Sequence, residues 1–346
     1  MNTIQKTYIT ILLILIPMIA AFAGGVAGTS VSVIAAPVKQ TVLPENLVPS
    51  NGIYYGYYQE TYNIHPEKVE THVATDESPS LAMYYQDWGS KGTLDYRYMD
   101  RLTHNGVIPI VTWEPWNAQT DTKTNTTEYT PQAITSGKYD PFIREWARDA
   151  ARYKKPFYLR FAHEMNGNWY PWGNANGNTP EDYKAMWIYV HDIFEEEGAT
   201  NVVWLWSPNN TDNTGSTASI LDYYPGSAYV DWVGFSGFNW GASNSETTWK
   251  SFEEIIKEPY DVLSITGKPI MLAETASVSK GGDKAAWFKE ALATLPKYPN
   301  IKAVIFFNQD FNDSDFSLGS GLNYEAVAKE YIMQNEYYVQ SPYLDK

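Results

Sequence analysis

The chain contains no cysteine. That absence excludes a disulfide framework, a zinc–thiolate centre and a cysteine nucleophile. Histidine is scarce too, with five in 346 residues. The pair His163-Glu164 starts like the zinc motif His-Glu-x-x-His, but Gly167 stands where the second histidine belongs. No metal site is expected. Positive charge is short: 25 Lys and Arg face 40 Asp and Glu, a net charge of −15. That balance argues against nucleic acid or an anionic lipid surface as a partner. The first βα turn carries no Gly-x-Gly-x-x-Gly, and the chain has no lysine-bearing P-loop. No cofactor is expected.

Aromatic residues are plentiful. They make up 15% of the chain, with 13 Trp and 27 Tyr, more than a core alone needs. Such a surplus favours stacking on flat neutral ligands, above all sugar rings. The densest stretch is Arg160-Phe-Ala-His-Glu-Met-Asn-Gly-Asn-Trp-Tyr-Pro-Trp172. It follows the apolar run Pro156–Leu159, so His163 and Glu164 fall where a strand gives way to a loop. A second carboxylate, Glu274, ends another apolar run, Pro269–Ala273.

The N-terminus reads separately. Lys6 precedes an apolar run, and no further charge appears before Lys39. Residues 1–36 are expected to be a secretory signal or, through residues 8–23, a membrane anchor, with a linker to about residue 50. Residues 51–346 are expected to form one catalytic domain, secreted or held at the cell surface, and monomeric.

From Gly52 onward, short apolar runs alternate with amphipathic stretches. The runs are 53–57, 80–85, 107–113, 157–161, 202–206, 231–235, 269–273 and 303–307. They lack strict alternation, as expected for parallel strands buried on both faces. Helices are predicted from Asp95 to His104, from Asp140-Pro141, from Thr179 to Glu197, from Ser251 to Ile265, from Lys284 to Leu295 and from Tyr324 to Gln334. The connection from Ser207 to Val230 has little helical signal. Eight such units predict a (β/α)8 TIM barrel rather than an open doubly wound sheet.

A barrel gathers its strand ends at one mouth, where active sites form. The residues just past the runs are therefore the candidates. Glu164 and Glu274 are the catalytic pair: glycoside hydrolysis needs one carboxylic acid to protonate the leaving oxygen and one carboxylate as nucleophile or base. Glu164 could instead pair with Arg160, and Glu274 could cap the following helix. Trp116, Trp169, Trp172 and Trp240 are candidate sugar platforms. Glu114 is either a substrate-binding carboxylate or a loop acid. His163 is a neighbour that contacts substrate or positions a carboxylate, and Asn308 lies just past the eighth run.

These residues resemble glycoside hydrolase family 26, a retaining (β/α)8 family. The most specific matches are Arg160–Trp172, Tyr229–Gly234 and Lys268–Thr275. The resemblance implies Glu164 as acid/base, Glu274 as nucleophile, and His163 near the reacting sugar. It implies an endo-acting hydrolase of β-linked polysaccharide, β-1,4-mannan first, with mixed-linkage β-glucan or β-1,3-xylan as alternatives. Two positions depart from the family's pattern. Ser236 and Phe238 occupy the stretch where a tyrosine usually bonds the nucleophile, and Phe306-Phe307-Asn308 stands where a tryptophan platform is common. On those grounds the expectation is a weaker bond network on Glu274 and a smaller stacking surface. A catalytically impaired polysaccharide-binding barrel is the alternative from another class.

Overall fold

Eight parallel strands close on themselves in sequence order. They are β1 (Tyr54–Tyr58), β2 (Leu81–Asp87), β3 (Ile108–Glu114), β4 (Phe157–Phe161), β5 (Val202–Trp206), β6 (Trp232–Asn239), β7 (Ile270–Ser277) and β8 (Ile301–Phe307). Between them run α1 (Tyr96–His104), α2 (Pro131–Thr135), α3 (Asp140–Tyr153), α4 (Pro180–Glu196), α5 (Phe252–Ser264) and α6 (Lys284–Thr294). This is the predicted (β/α)8 barrel. The computed structural model describes residues 43–59, 79–90, 92–120, 128–211, 218–319, 327 and 329–343. The signal or anchor segment lies outside the described residues. Of the helix predicted from Tyr324 to Gln334, Lys329–Met333 form a single π-helical turn, and residues 324–326 and 328 lie outside the described residues.

The helices begin where their caps dictate. Asp95, Thr179, Ser251 and Asp283 each accept a backbone N–H of the first turn, and Thr179 and Ser251 form full capping boxes with Asp182 and Glu254. The connection between β5 and β6 holds only a short 3-10 turn, Ile220–Tyr223, among its described residues.

Alternation sorts each strand into an inner and an outer face. Leu81 and Met83, Ile108 and Ile110, Val203 and Leu205, and Ala303 and Ile305 fill the barrel interior with Tyr158, Trp232 and Met271. Each Val, Leu, Ile or Met side chain among them, once buried, contributes roughly 1.5–3 kcal/mol. Continuing the same faces upward brings Tyr85, Thr112, Glu114, Arg160, Ser207 and Ser236 into a polar layer above this apolar plug.

Two strands are longer than the apolar runs that predicted them. β6 continues to Asn239 and β7 to Ser277. Their polar extensions satisfy one another: Thr275 donates to the Gly237 carbonyl at 2.9 Å, and Asn239 donates to Ser277 Oγ at 2.9 Å. Glu274 therefore sits within β7, not at its end. Phe235 pairs with Leu272 but Ser236 pairs with Glu274, so β7 carries one extra residue at Ala273. That bulge shifts the alternation, and both Ala273 and Glu274 face inward.

Candidate active site

Glu164 lies three residues beyond β4, in a loop with unusual backbone. Ala162 and Glu164 have φ of 42° and 52°, the left-handed region that side-chain-bearing residues avoid. Such strain persists only where surroundings over-determine it. Here Glu164 N–H donates to the Ser207 carbonyl at 2.8 Å, Tyr183 Oη donates to the Ala162 carbonyl at 3.1 Å, and Trp172 Nε1 donates to the His163 carbonyl at 2.7 Å. Asn166 ties the same loop to the Asn209 carbonyl at 3.0 Å. The carboxylate itself accepts from Trp169 Nε1 at 2.8 Å.

Glu274 is held by three groups from three strands. Arg160 Nη1 stands 3.0 Å from Oε2, and the guanidinium is fully buried. Ser236 Oγ donates to the same oxygen at 3.1 Å while accepting from Arg160 Nη2 at 2.7 Å. Tyr85 Oη donates to Oε1. Arg160 Nε is fixed in turn by Ser207 Oγ at 3.1 Å. Arg160 also lies 3.9 Å from Glu164, so the sequence's i,i+4 pair exists, but the shorter contact is to Glu274.

One oxygen of Glu164, one oxygen of Glu274 and a ring nitrogen of His163 all lie within 4.8 Å of one another. Carboxyl groups about 5–5.5 Å apart suit retention of anomeric configuration, whereas inversion needs roughly 6.5–9.5 Å. Burial, and then the negative charge of Glu274, push the Glu164 carboxyl above its ordinary range, against the pull of Arg160. Of the two carboxyl groups, Glu164 is the one whose surroundings favour keeping a proton, while Arg160 stands against Glu274. Burial and then Arg160 hold His163 well below its ordinary value, so the imidazole is neutral. The same three residues could geometrically surround a cation. The Arg160 guanidinium already occupies the electrostatic place of one.

The sequence model described as Glycosyl hydrolase family 26 matches residues 45–314. The chain belongs to glycosyl hydrolase family 26. It is 36% identical over 251 residues to Endoglucanase H of Acetivibrio thermocellus, covering 71% of this chain and 26% of that protein. The match thus spans about a quarter of that relative's length. A Mannan endo-1,4-beta-mannosidase of Bacillus subtilis is 25% identical over 299 residues, 78% of this chain and 76% of that one. Among solved structures, a double mutant of the Cellulomonas fimi endo-beta-1,4-mannanase superposes with a TM-score of 0.64 at 15% identity, over 85% of this chain and 74% of the other. That likeness concerns the fold.

For a member of family 26, the bonding of Glu274 corrects the sequence-based expectation. Phe238 brings no hydroxyl to β6, but Tyr85 on β2 supplies one to Glu274, and Ser236 supplies a second. Tyr85 escaped notice because it sits in an aromatic run that reads as strand filler. Its signal was the period of two from Leu81 and Met83, which aims it inward. Tyr85→Phe should keep its packing and lose a bond to a charged group, about 1.5–3 kcal/mol. The expected result is a fall in kcat of about 10- to 100-fold, with a melting temperature lowered by the loss of the same bond. An unchanged kcat would mean that the Tyr85 bond to Glu274 plays no part in turnover.

The other expected site residues divide. Trp116, Trp169, Phe238, Trp240 and Asn308 are half-buried at the mouth. Trp172 is not a platform: it is fully buried, stacked on Tyr170 at 4.4 Å. Arg160 likewise has no exposed surface and acts beneath the carboxylates instead of touching substrate. Phe306 faces the helices, 4.8 Å from Phe288, while Phe307 takes the inward place at the mouth.

Glu114 ends β3 and is 5% exposed. It accepts from Trp116 Nε1 at 3.2 Å. Burial pushes its carboxyl up to about 8 from 4.5, against the hydrogen bonds of Trp116 and Tyr170. Because the folded value is the higher one, this group favours the folded state fully below the unfolded value. That contribution fades as pH rises to the folded value. Glu114→Gln should therefore gain in melting temperature relative to the parent between about pH 5 and about pH 9. Parallel melting curves across that range would refute the assignment.

Proposed function

We propose that this protein is a retaining endo-glycosidase acting on a neutral β-linked polysaccharide. The observation that carries the reading is the close approach of Glu164, whose carboxyl is raised by burial and by Glu274, to a Glu274 held by Arg160 at a barrel mouth. In the first step Glu274 attacks the anomeric carbon and the glycosidic C–O bond breaks. The departing oxygen takes the Glu164 proton. The covalent bond cancels the charge on Glu274, which removes one cause of the raised Glu164 value. Glu164, now a carboxylate, takes a proton from water as that water attacks the anomeric carbon. Glu274 leaves and both carboxyl groups return to their starting states.

β-1,4-Mannan is the first substrate, supported by the mannosidase relative that matches across most of both chains. β-Glucan is the second, favoured by the higher identity to a relative called an endoglucanase. The rival of a binding barrel without turnover rested on the missing β6 tyrosine, and the Tyr85 hydroxyl weakens it. Export, by a cleaved signal or with residues 8–23 as an anchor, rests on the apolar N-terminal run. N-terminal sequencing of the mature protein tests it.

The functional test is a panel of mannan, mixed-linkage β-glucan and β-1,3-xylan, with reducing-end release measured and the first-formed anomer read by NMR. Release of oligosaccharides with retained configuration is expected. Binding without release would favour the rival, and an inverted product would sink double displacement.

A further inference from the structure

Lys284 stands where helix physics disfavours it. It is the first residue of α6, so its cation meets the positive end of the helix dipole, and it is only 4% exposed. A buried ammonium needs partners. Its Nζ donates to the carbonyls of Asp315 and Ser317, the latter at 2.7 Å, and thus grips the chain on either side of Phe316. Asp315 accepts from Ser279 N–H at 3.0 Å and Ser279 Oγ at 2.5 Å, which ties the same loop to the end of β7. Two further bonds close it: Ser317 N–H to Asp310 at 3.0 Å, and Leu318 N–H to Asn308 at 2.7 Å.

The gripped ring has a specific place. Phe316 is 1% exposed and packs edge-on against Trp240 at 4.8 Å and Phe238 at 5.3 Å. Phe238 meets Phe307 at 5.4 Å. The arc continues from Phe307 to Tyr58 at 5.0 Å and from Tyr58 to Tyr85 at 4.8 Å, and Tyr85 bonds Glu274. Phe238 shares a strand face with Ser236 two residues on, so it stands one layer above the nucleophile. Phe238, Trp240 and Phe307 keep part of their surface open, while Phe316 is sealed behind them.

We propose that Lys284 and Asp315 form a strap that, through Phe316, holds the Phe307–Phe238–Trp240 wall as a stacking surface for pyranose units of the substrate. This rests on the glycosidase reading above. The wall occupies the side of the mouth where the β8 tryptophan is lacking, and no single ring in it is as large as an indole except Trp240. Small rings stack usefully only when their planes are held in place, and the strap supplies that constraint. Lys284 is a positioning residue: it touches no substrate and acts through Phe316.

The test is steady-state kinetics on the polysaccharide the parent cleaves, with melting temperatures measured alongside. For Lys284→Met, KM should rise about tenfold while kcat stays within about twofold, because the Glu164–Glu274 pair is untouched. Asp315→Ala should move KM in the same direction, and Asp315→Asn, which keeps an acceptor for the Ser279 N–H, should restore most of it. Ser279→Ala, on the exposed side of the strap, gives a milder variant should Lys284→Met fail to fold, with a KM rise of about threefold expected. Parental KM in folded variants, with or without a lower melting temperature, would overturn the strap's role in binding. An equal loss in kcat with KM unchanged would overturn it too. If the parent neither cleaves nor binds any polysaccharide of the panel, the glycosidase reading fails first and the strap proposal with it.

Discussion

Alanine in place of Glu274 is expected to slow hydrolysis of any substrate the parent cleaves by about 10⁴-fold or more, the scale of losing a covalent nucleophile. Neither neighbouring glutamate is expected to take over: Glu164 serves as the acid, and burial raises the Glu114 carboxyl, on β3, to about 8. The loss should be almost entirely in kcat, since the aromatic walls and the loop after β4 remain. Stability should fall as well. Arg160 has no exposed surface, and breaking a buried ion pair by removing one partner costs about 3–5 kcal/mol. Glu164, 3.9 Å from the same guanidinium, tempers that cost by taking part of the charge. Glu274→Gln separates the two effects, because the amide oxygen still accepts from Tyr85 or Ser236 while the nucleophile is gone. Equal inactivation with a smaller drop in melting temperature is the expected pattern. Parental rates in either variant, on every substrate of the panel, would end the double-displacement assignment.

The barrel was legible because its strands are apolar runs with abrupt ends. β4 and β5 coincide with the predicted runs at Phe157–Phe161 and Val202–Trp206. β6 and β7 were read short for a physical reason. Their upper halves are polar, and polar residues continue a buried strand only when partners across the ladder satisfy them, as Thr275 does with Gly237 and Ser236 with Glu274. No local pattern reveals such partners. The bulge at Ala273 is invisible for the same reason, yet it is what turns Glu274 inward. Glu164 was legible from the ionisable pair at a strand end. Trp169 and Trp172 lie three residues apart in similar surroundings, and tertiary packing makes one a donor to Glu164 and buries the other on Tyr170. Arg160 was visible as a charge inside an apolar run. Its partner was not, because Glu274 is more than a hundred residues away and Glu164 only four.

Glu164→Ala should behave differently from Glu274→Ala, and the difference tests the division of labour. A positioned general acid contributes about 10²–10⁴-fold. On polysaccharide, whose leaving group is a poor one, a loss of that size in kcat is expected. On an aryl glycoside with an acidic phenol the first step needs no proton, so bond cleavage should be spared. The covalent intermediate should then accumulate, because the water that clears it has lost its base. A small anion such as azide, fitting the space of the missing carboxylate, should restore turnover and yield a glycosyl azide of retained configuration. The pH profile carries the same logic. Glu164 must be protonated for the first step, so the parent's rate on polysaccharide should fall as pH rises through the raised Glu164 value. With the activated substrate and Glu164→Ala that alkaline fall should vanish. The cause of the raised value is testable as well. Burial would persist in Glu274→Gln, but the neighbouring negative charge would be gone and Arg160 would act on Glu164 with less opposition. The Glu164 carboxyl, followed by carbon-13 NMR, should then titrate at lower pH than in the parent. A midpoint that stays put would mean that burial alone raises it and that Glu274 does not tune its partner.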